Sequence, residues 1–285
     1  MTTAVAAAHA FDQAIALKPL GGDRFEGQTS TAYWNMVGPF GGITAATALQ
    51  AVLQHPGCLG QPVALTVNYA AALSEGRFVV VARAARTNRS TQHWTIEMLQ
   101  DDADGPPAVV LTGSVVTALR RDTWGINDTP MPLVPAPGTV QGPPWIAPIE
   151  WIKRYEVIQL DGPLPQHWDG ALSSGADTQH ASMSRLWMRD APPRPLDHCS
   201  LTALADVFYP RIFLRRAFRV PAGTVSMTVY FHADDATMRA TGDGYVLGQA
   251  RANAFGAGFH DQSAWLWNAV GQLLATSVQV VYYKE

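Results

Sequence analysis

Asp206 lies in Leu201-Thr202-Ala203-Leu204-Ala205-Asp206-Val207-Phe208, a run that is otherwise apolar or small. A buried, unpaired carboxylate costs several kcal/mol or gives up its ionisation, so an acid in such company needs partners or a task. The run has a near-copy upstream. Thr47-Ala48-Leu49-Gln50-Ala51-Val52 repeats Thr202-Ala203-Leu204-Ala205-Asp206-Val207 at an offset of 155, with Ala51 in the place of Asp206. Two further differences between the copies introduce polar chemistry: Pro62 corresponds to Thr224 at an offset of 162, and Val116 to Gln279 at an offset of 163. The later copy thus gains an acid, a hydroxyl and an amide, each from a different element. Such groups take up protons and hold polar ligands by hydrogen bonds. A purely structural reading stays open at this point, with Asp206 as a helix cap, Thr224 as a turn residue and Gln279 on an edge strand.

The elements that must position these residues also repeat. Thr66-Val67-Asn68-Tyr69 aligns with Thr228-Val229-Tyr230-Phe231, and Leu111-Thr112-Gly113-Ser114-Val115-Val116 with Leu274-Ala275-Thr276-Ser277-Val278-Gln279. In the first copy, residues 14–20 and 24–34 read as a β-pair about Gly21-Gly22-Asp23. Residues 43–53 read as a helix that is apolar all round, which other structure must wrap. Strands are expected at 63–69, 78–86, 92–100 and 108–119 from β-branched and aromatic content between short turns. In the second copy, strands at 155–160 and 184–189 precede a helix at 200–208. Strands at 225–231, 245–254, 262–267 and 273–283 follow it, with a polar turn at Asp234-Asp235. A Gly/Ser-rich loop is expected at 169–176. Prolines 130, 132, 135, 137, 143, 144 and 148 mark residues 121–150 as an extended connection. The expected organisation is a first unit at 1–120, a linker at 121–150 and a second unit at 151–285 that carries the polar trio. Its class is α+β, with two antiparallel sheets each wrapped around one central helix.

Composition narrows the function classes. Hydrophobic residues make up 47% and charged residues 15% of 285, enough for a large core. A net charge of −3 without basic clustering gives no footprint for nucleic acid. No stretch approaches the roughly 20 apolar residues of a membrane span. The Ala-rich N-terminus lacks the basic start of a signal peptide. Cys58 and Cys199 lack metal-ligand spacing and suggest a reducing compartment. A cytoplasmic protein is expected, with neither metal nor cofactor.

With these residues in view, the chain resembles the double hot-dog proteins of the type II acyl-CoA thioesterase family, in both halves. Phe40-Gly41-Gly42 opening an Ala-rich helix is similar to that family's first hot-dog helix. Tyr69 and Arg86-Thr87-Asn88-Arg89-Ser90 fall where its strand end and turn motif would. Ala205-Asp206, the Thr224 strand leading to Phe231-His232, and Ala275-Thr276-Ser277-Val278-Gln279 are similar to its three active-site segments. The resemblance implies a double hot-dog fold and hydrolysis of an acyl thioester such as acyl-CoA. It implies further that Asp206, Thr224 and Gln279 jointly hold the hydrolytic water, with Thr228 as an alternative hydroxyl, and that Arg89 and Ser90 serve substrate binding. Gly41 and Gly42 either offer N–H groups to the acyl oxyanion or merely admit tight helix–sheet packing.

Other chemistries find less support. Gly170-Ala171-Leu172-Ser173-Ser174-Gly175 lacks the nucleophile-elbow spacing, and zinc-site words are absent. His232 reads as a packing residue, Gly242-Asp243-Gly244 as a hairpin turn, and Trp145, Trp151, Trp168, Trp187, Trp265 and Trp267 as core, interface or acyl-tunnel residues. The rivals are a hot-dog hydratase or dehydratase, which wants an Asp–His pair, and a non-catalytic acyl-thioester binder. Sheet edges and apolar surface lead us to expect a homodimer or higher homo-oligomer.

Overall fold

The computed structural model describes residues 8–101, 105–141, 149–170 and 182–285. Most of 169–176, together with Trp145 and Pro143, Pro144 and Pro148, lies outside them.

The first half builds β1 (Lys18–Gly21), β2 (Arg24–Gln28), α2 (Gly41–Leu53), β3 (Gln61–Tyr69), β4 (Arg77–Thr87), β5 (Thr91–Gln100) and β6 (Ala108–Ala118), preceded by a short α1 (Ala10–Ala14). Ten of the thirteen residues of α2 are buried and none is charged, so the sheet encloses it as expected. The second half builds β7 (Tyr155–Asp161), β8 (Ser184–Asp190), α3 (His198–Leu204), β9 (Ala222–Phe231), β10 (Val246–Arg251), β12 (Phe259–Asn268) and β13 (Leu273–Tyr283). A two-residue β11 (Phe255–Gly256) pairs only with β12. The two expected sheets meet edge to edge. Antiparallel pairing of β3 with β9 joins them into one sheet ordered β1-β2-β4-β5-β6-β3-β9-β13-β12-β10-β8-β7. Thr66 stands directly opposite Thr228, with their hydroxyl oxygens 3.0 Å apart. These are the residues that the 162-residue offset equates, so the axis relating the halves passes between them.

The strands carry a second mark of duplication. Both β3 and β9 contain a β-bulge, with Val63 the extra residue in the first and Val225 in the second. The offset between them is again 162. One aligned pair needs correction. Gln279 faces inward opposite Met227, and the residue that holds this place in the first half, opposite Leu65, is Val115 rather than Val116. A slip of one residue moves a strand's whole set of side chains to the other face, and apolar strand sequences read almost as well in either register.

The helices also depart from expectation. α3 ends at Leu204 with Ala205 as its C-cap, so Asp206 lies in the turn that follows rather than inside a helix. Residues 211–216 form α4 (Arg211–Arg216) and 235–241 form α5 (Asp235–Thr241). The Asp234 side chain caps α5 by accepting from the Thr237 N–H, which makes the expected polar turn a helix start. Gly242, at φ 60°, ends that helix, so Gly242-Asp243-Gly244 is not a hairpin turn.

The described part of the Pro-rich connection is docked on the second half. Its carbonyls accept from two indoles, Trp267 Nε1 to Thr129 at 3.0 Å and Trp187 Nε1 to Pro135 at 2.9 Å. Met131 and Val134 cover the apolar cluster of Trp187, Leu247 and Trp267. Extended, Pro-containing backbone leaves its carbonyls unused, and buried indole N–H groups require acceptors.

Candidate active site

Three elements of the second half and one of the first converge on Asp206. The turn after α3 presents its carboxylate. From β13 the buried Gln279 side chain donates through Nε2 to Asp206 Oδ1 at 2.9 Å, and the same nitrogen lies 3.4 Å from the Ala205 carbonyl. From β9 the Thr224 hydroxyl donates to Gln279 Oε1 at 3.2 Å. The bulge at Val225 makes this possible. Met227, Val229 and Phe231 alternate inward along β9, and regular pairing of Val225 would point Thr224 away from them, whereas leaving Val225 out of the ladder puts Thr224 opposite Val281 on the inward side. Thr228, the alternative hydroxyl, points outward to Thr66 and is not among the residues lining the cavity.

The fourth contribution crosses between halves. α2 begins at Gly41 without a side-chain cap from Phe40, leaving N–H groups at its positive end. The Gly42 N–H hydrogen-bonds the Asp206 carboxylate. Gly41 also packs against this carboxylate. A Cβ there would sit 2.8 Å from Asp206 Oδ2 and 3.4 Å from Tyr69 Oη. At Gly42 an added Cβ would strike the Phe40 ring at 2.6 Å and the Ala203 carbonyl at 2.7 Å. Tyr69 Oη in turn donates to the Gly41 carbonyl at 2.9 Å.

Burial pushes the Asp206 carboxyl up to about 7, against the smaller downward pull of the hydrogen bonds from Gln279 and Gly42. Burial, and then the nearby charge of Asp206, push the Tyr69 phenol well above its ordinary range. Asp206 opens onto a cavity of about 490 Å³, where it is the one charged side chain among the described lining residues. The apolar wall includes Phe40, Leu73, Val110, Trp151 and Phe208, with Trp151 stacked on Phe40 at 4.2 Å between ring centroids.

The structure therefore brings together Asp206, Thr224, Gln279, Gly41 and Gly42. It does not bring Arg89 or Ser90 to them. The Ser90 carbonyl accepts from the Leu119 N–H, whereas the cavity meets β6 at Val110, roughly 30 Å of strand away. His232 bonds Thr276 at 3.0 Å and does not line the cavity. Of the tryptophans, Trp151 alone among the described lining residues reaches it, while Trp168 packs on Phe213. Gln262 and the 35–39 loop also line the cavity and carried no signal in the sequence. Among the described residues no group of three or more His, Cys, Asp or Glu is placed to hold a metal ion.

Comparison with known proteins gives this geometry a family. A model described as acyl-CoA thioesterase C-terminal domain matches residues 128–283, and one described as acyl-CoA thioesterase N-terminal domain matches residues 30–118. The chain belongs to the acyl-CoA thioesterase family. It is accordingly a thioester hydrolase with a double hot-dog fold. It is similar to a conserved hot-dog protein of unknown function from Alicyclobacillus acidocaldarius, with 45% identity over 97% of this chain and 98% of that one and a TM-score of 0.87. A putative thioesterase II from Thermobifida fusca YX shares the fold at 17% identity, covering 96% and 97% of the two chains with a TM-score of 0.77. The dehydratase domain of RzxB from Pseudomonas fluorescens shares it at 13% identity, covering 97% and 100% with a TM-score of 0.55. Comparison with curated proteins finds no match. No helix among the described residues of this family member is long and apolar enough to cross a membrane.

Proposed function

We propose that this thioesterase-family chain hydrolyses acyl-CoA by direct attack of a water molecule held by Asp206, Thr224 and Gln279. One observation carries the reading: Gln279 ties the Asp206 carboxylate to the Thr224 hydroxyl at the wall of a cavity whose other described lining residues are uncharged. Asp206 takes a proton from the water as its oxygen attacks the thioester carbonyl. The tetrahedral intermediate then collapses with cleavage of the C–S bond, and the thiolate leaves with the proton returned by Asp206. General-base assistance of this kind is worth roughly 10²–10⁴-fold. The N–H of Gly41, at the positive end of α2, has no hydrogen-bond partner among the described residues and is the donor we assign to the developing oxyanion. Gly42 has the other role, giving its N–H to Asp206 and its small size to packing.

Single-turnover hydrolysis in heavy-oxygen water tests the direct attack. The label is expected in the released fatty acid and not in the enzyme. Label recovered in the Asp206 carboxylate after one turnover would instead mean a covalent anhydride. Because a dehydratase domain shares the fold, hydration of enoyl-CoA is the second reading. The described residues lining the cavity include no histidine to partner Asp206, which favours hydrolysis. As to assembly, the outer sheet face exposes Tyr230, Val278, Val280 and Tyr282, the kind of patch a second copy covers. Sedimentation as a monomer at working concentration would remove that proposal.

A further inference from the structure

The Asp206 cavity is bounded on one side by Pro39, Thr44 and Leu73, and the same three residues wall a smaller void beyond. That void runs on between α2 and the sheet, against Ile43, Thr47, Phe78 and Met98, and has a volume of only about 10 Å³. One water fills such a space; a methylene chain does not fit. Thr44 and Thr47 stand about one and two turns into α2 from Gly41, so the void continues the cavity along the helix, away from the carboxylate.

Leu73 is a fixed partition rather than a loose side chain. It is 6% exposed, and its backbone is gripped from both sides. Gly38 presses on the Leu73 carbonyl so closely that an added Cβ would meet it at 2.6 Å. On the other side the Gln100 amide accepts from the Ser74 N–H at 2.7 Å and donates to the Ser74 carbonyl at 3.0 Å. Both backbone groups of the residue beside Leu73 are therefore held by a single buried amide. Gln100 also donates to the Arg77 carbonyl at 3.2 Å, which fixes the amide itself.

We infer that Leu73 is the end wall of the acyl site, limiting the enzyme to short acyl thioesters, and that the void behind it is the blocked continuation of that site. The inference rests on the proposed thioester hydrolysis at Asp206. Its test measures kcat and KM with butyryl-, octanoyl- and dodecanoyl-CoA for the wild type, Leu73→Ala and Leu73→Val. The wild type is expected to favour butyryl-CoA. Leu73→Ala should raise kcat/KM for dodecanoyl-CoA relative to butyryl-CoA about tenfold, mainly through KM, as expected for a few carbons gained or lost in an apolar pocket. Leu73→Val removes one carbon and shifts the ratio the same way by less, so the test survives if the alanine variant does not fold. An unchanged ratio in the folded variants, or a wild type that already handles dodecanoyl-CoA as well as butyryl-CoA, overturns the inference. Calorimetric binding of the unreactive butyl- and dodecyl-CoA thioethers reads the same wall without turnover. Tighter dodecyl binding only in the variants supports it, and equal binding in all three proteins counts against it. Absence of hydrolysis by the wild type counts against the proposed reaction alone.

Discussion

Asp206 is held in a state between charged and neutral by opposing forces. Burial drives its carboxyl up to about 7, while Gln279 and the Gly42 N–H stabilise the anion enough to keep it there rather than higher. That is the range in which a carboxylate serves as a base near neutral pH. Gly41 is the neighbour that crowds the carboxylate itself, because a methyl group in its place would stand 2.8 Å from Asp206 Oδ2. Gly41→Ala should therefore displace the carboxylate and lower kcat about a hundredfold, with circular dichroism unchanged. A fully active Gly41→Ala enzyme would show that the carboxylate's position is not critical. Asp206, Thr224 and Gln279 were legible in the sequence because polar residues stood out where a repeat has apolar ones. Arg89 and Ser90 were not placed correctly, since a turn motif does not say at which end of a sheet the cavity opens. Gln262 was hidden because its strand, with Trp94 in the corresponding place opposite Val115, lies outside the repeated words, and the 35–39 loop because no repeated word covers it.

The β-bulge is the element on which the site turns. Strand alternation alone would aim Thr224 outward, and the extra residue Val225 turns it toward Gln279. The first half carries the same bulge at Val63, where Pro62 occupies the inward place, so the scaffold feature is common to both halves and only the side chain differs. Thr224→Val should keep β9 paired with β13 and preserve the side chain's shape while removing the hydroxyl that donates to Gln279. We expect a loss of roughly 10²-fold or more in kcat, the scale seen when one aligned polar group is removed. A fully active Thr224→Val variant would mean that the Thr224 hydroxyl is dispensable. Strand positions were read well from composition, and residues 273–283 coincide with β13. The bulges were invisible because an inserted Val in a Val-rich strand changes no pattern, and the same ambiguity produced the one-residue slip between Val116 and Val115. α5 was missed because Asp234-Asp235 has the composition of a turn, although the cap geometry makes it a helix start.

At the scale of the molecule, duplication has produced a division of labour rather than two equal sites. The second half supplies the acid, amide and hydroxyl, and the first supplies the uncapped end of α2 that receives the acid. Neither half holds the complete arrangement, and the β3–β9 junction through Thr66 and Thr228 fixes them in one sheet. The repeat itself was legible from short matched words in the same order. The crossing of α2 into the second half's site was not, because it depends on how the two sheets are joined.

The pH dependence of kcat/KM for acyl-CoA hydrolysis, compared between the wild type and Asp206→Asn from about pH 5 to about pH 9, tests the role of Asp206 most directly. Because the base works only when unprotonated and its carboxyl is raised to about 7, wild-type activity should climb with pH to a plateau, half-maximal near neutrality. The asparagine variant should lie roughly 10²–10⁴-fold lower and lack that rise. An Asp206→Asn enzyme with the same profile and rate as the wild type would contradict the account.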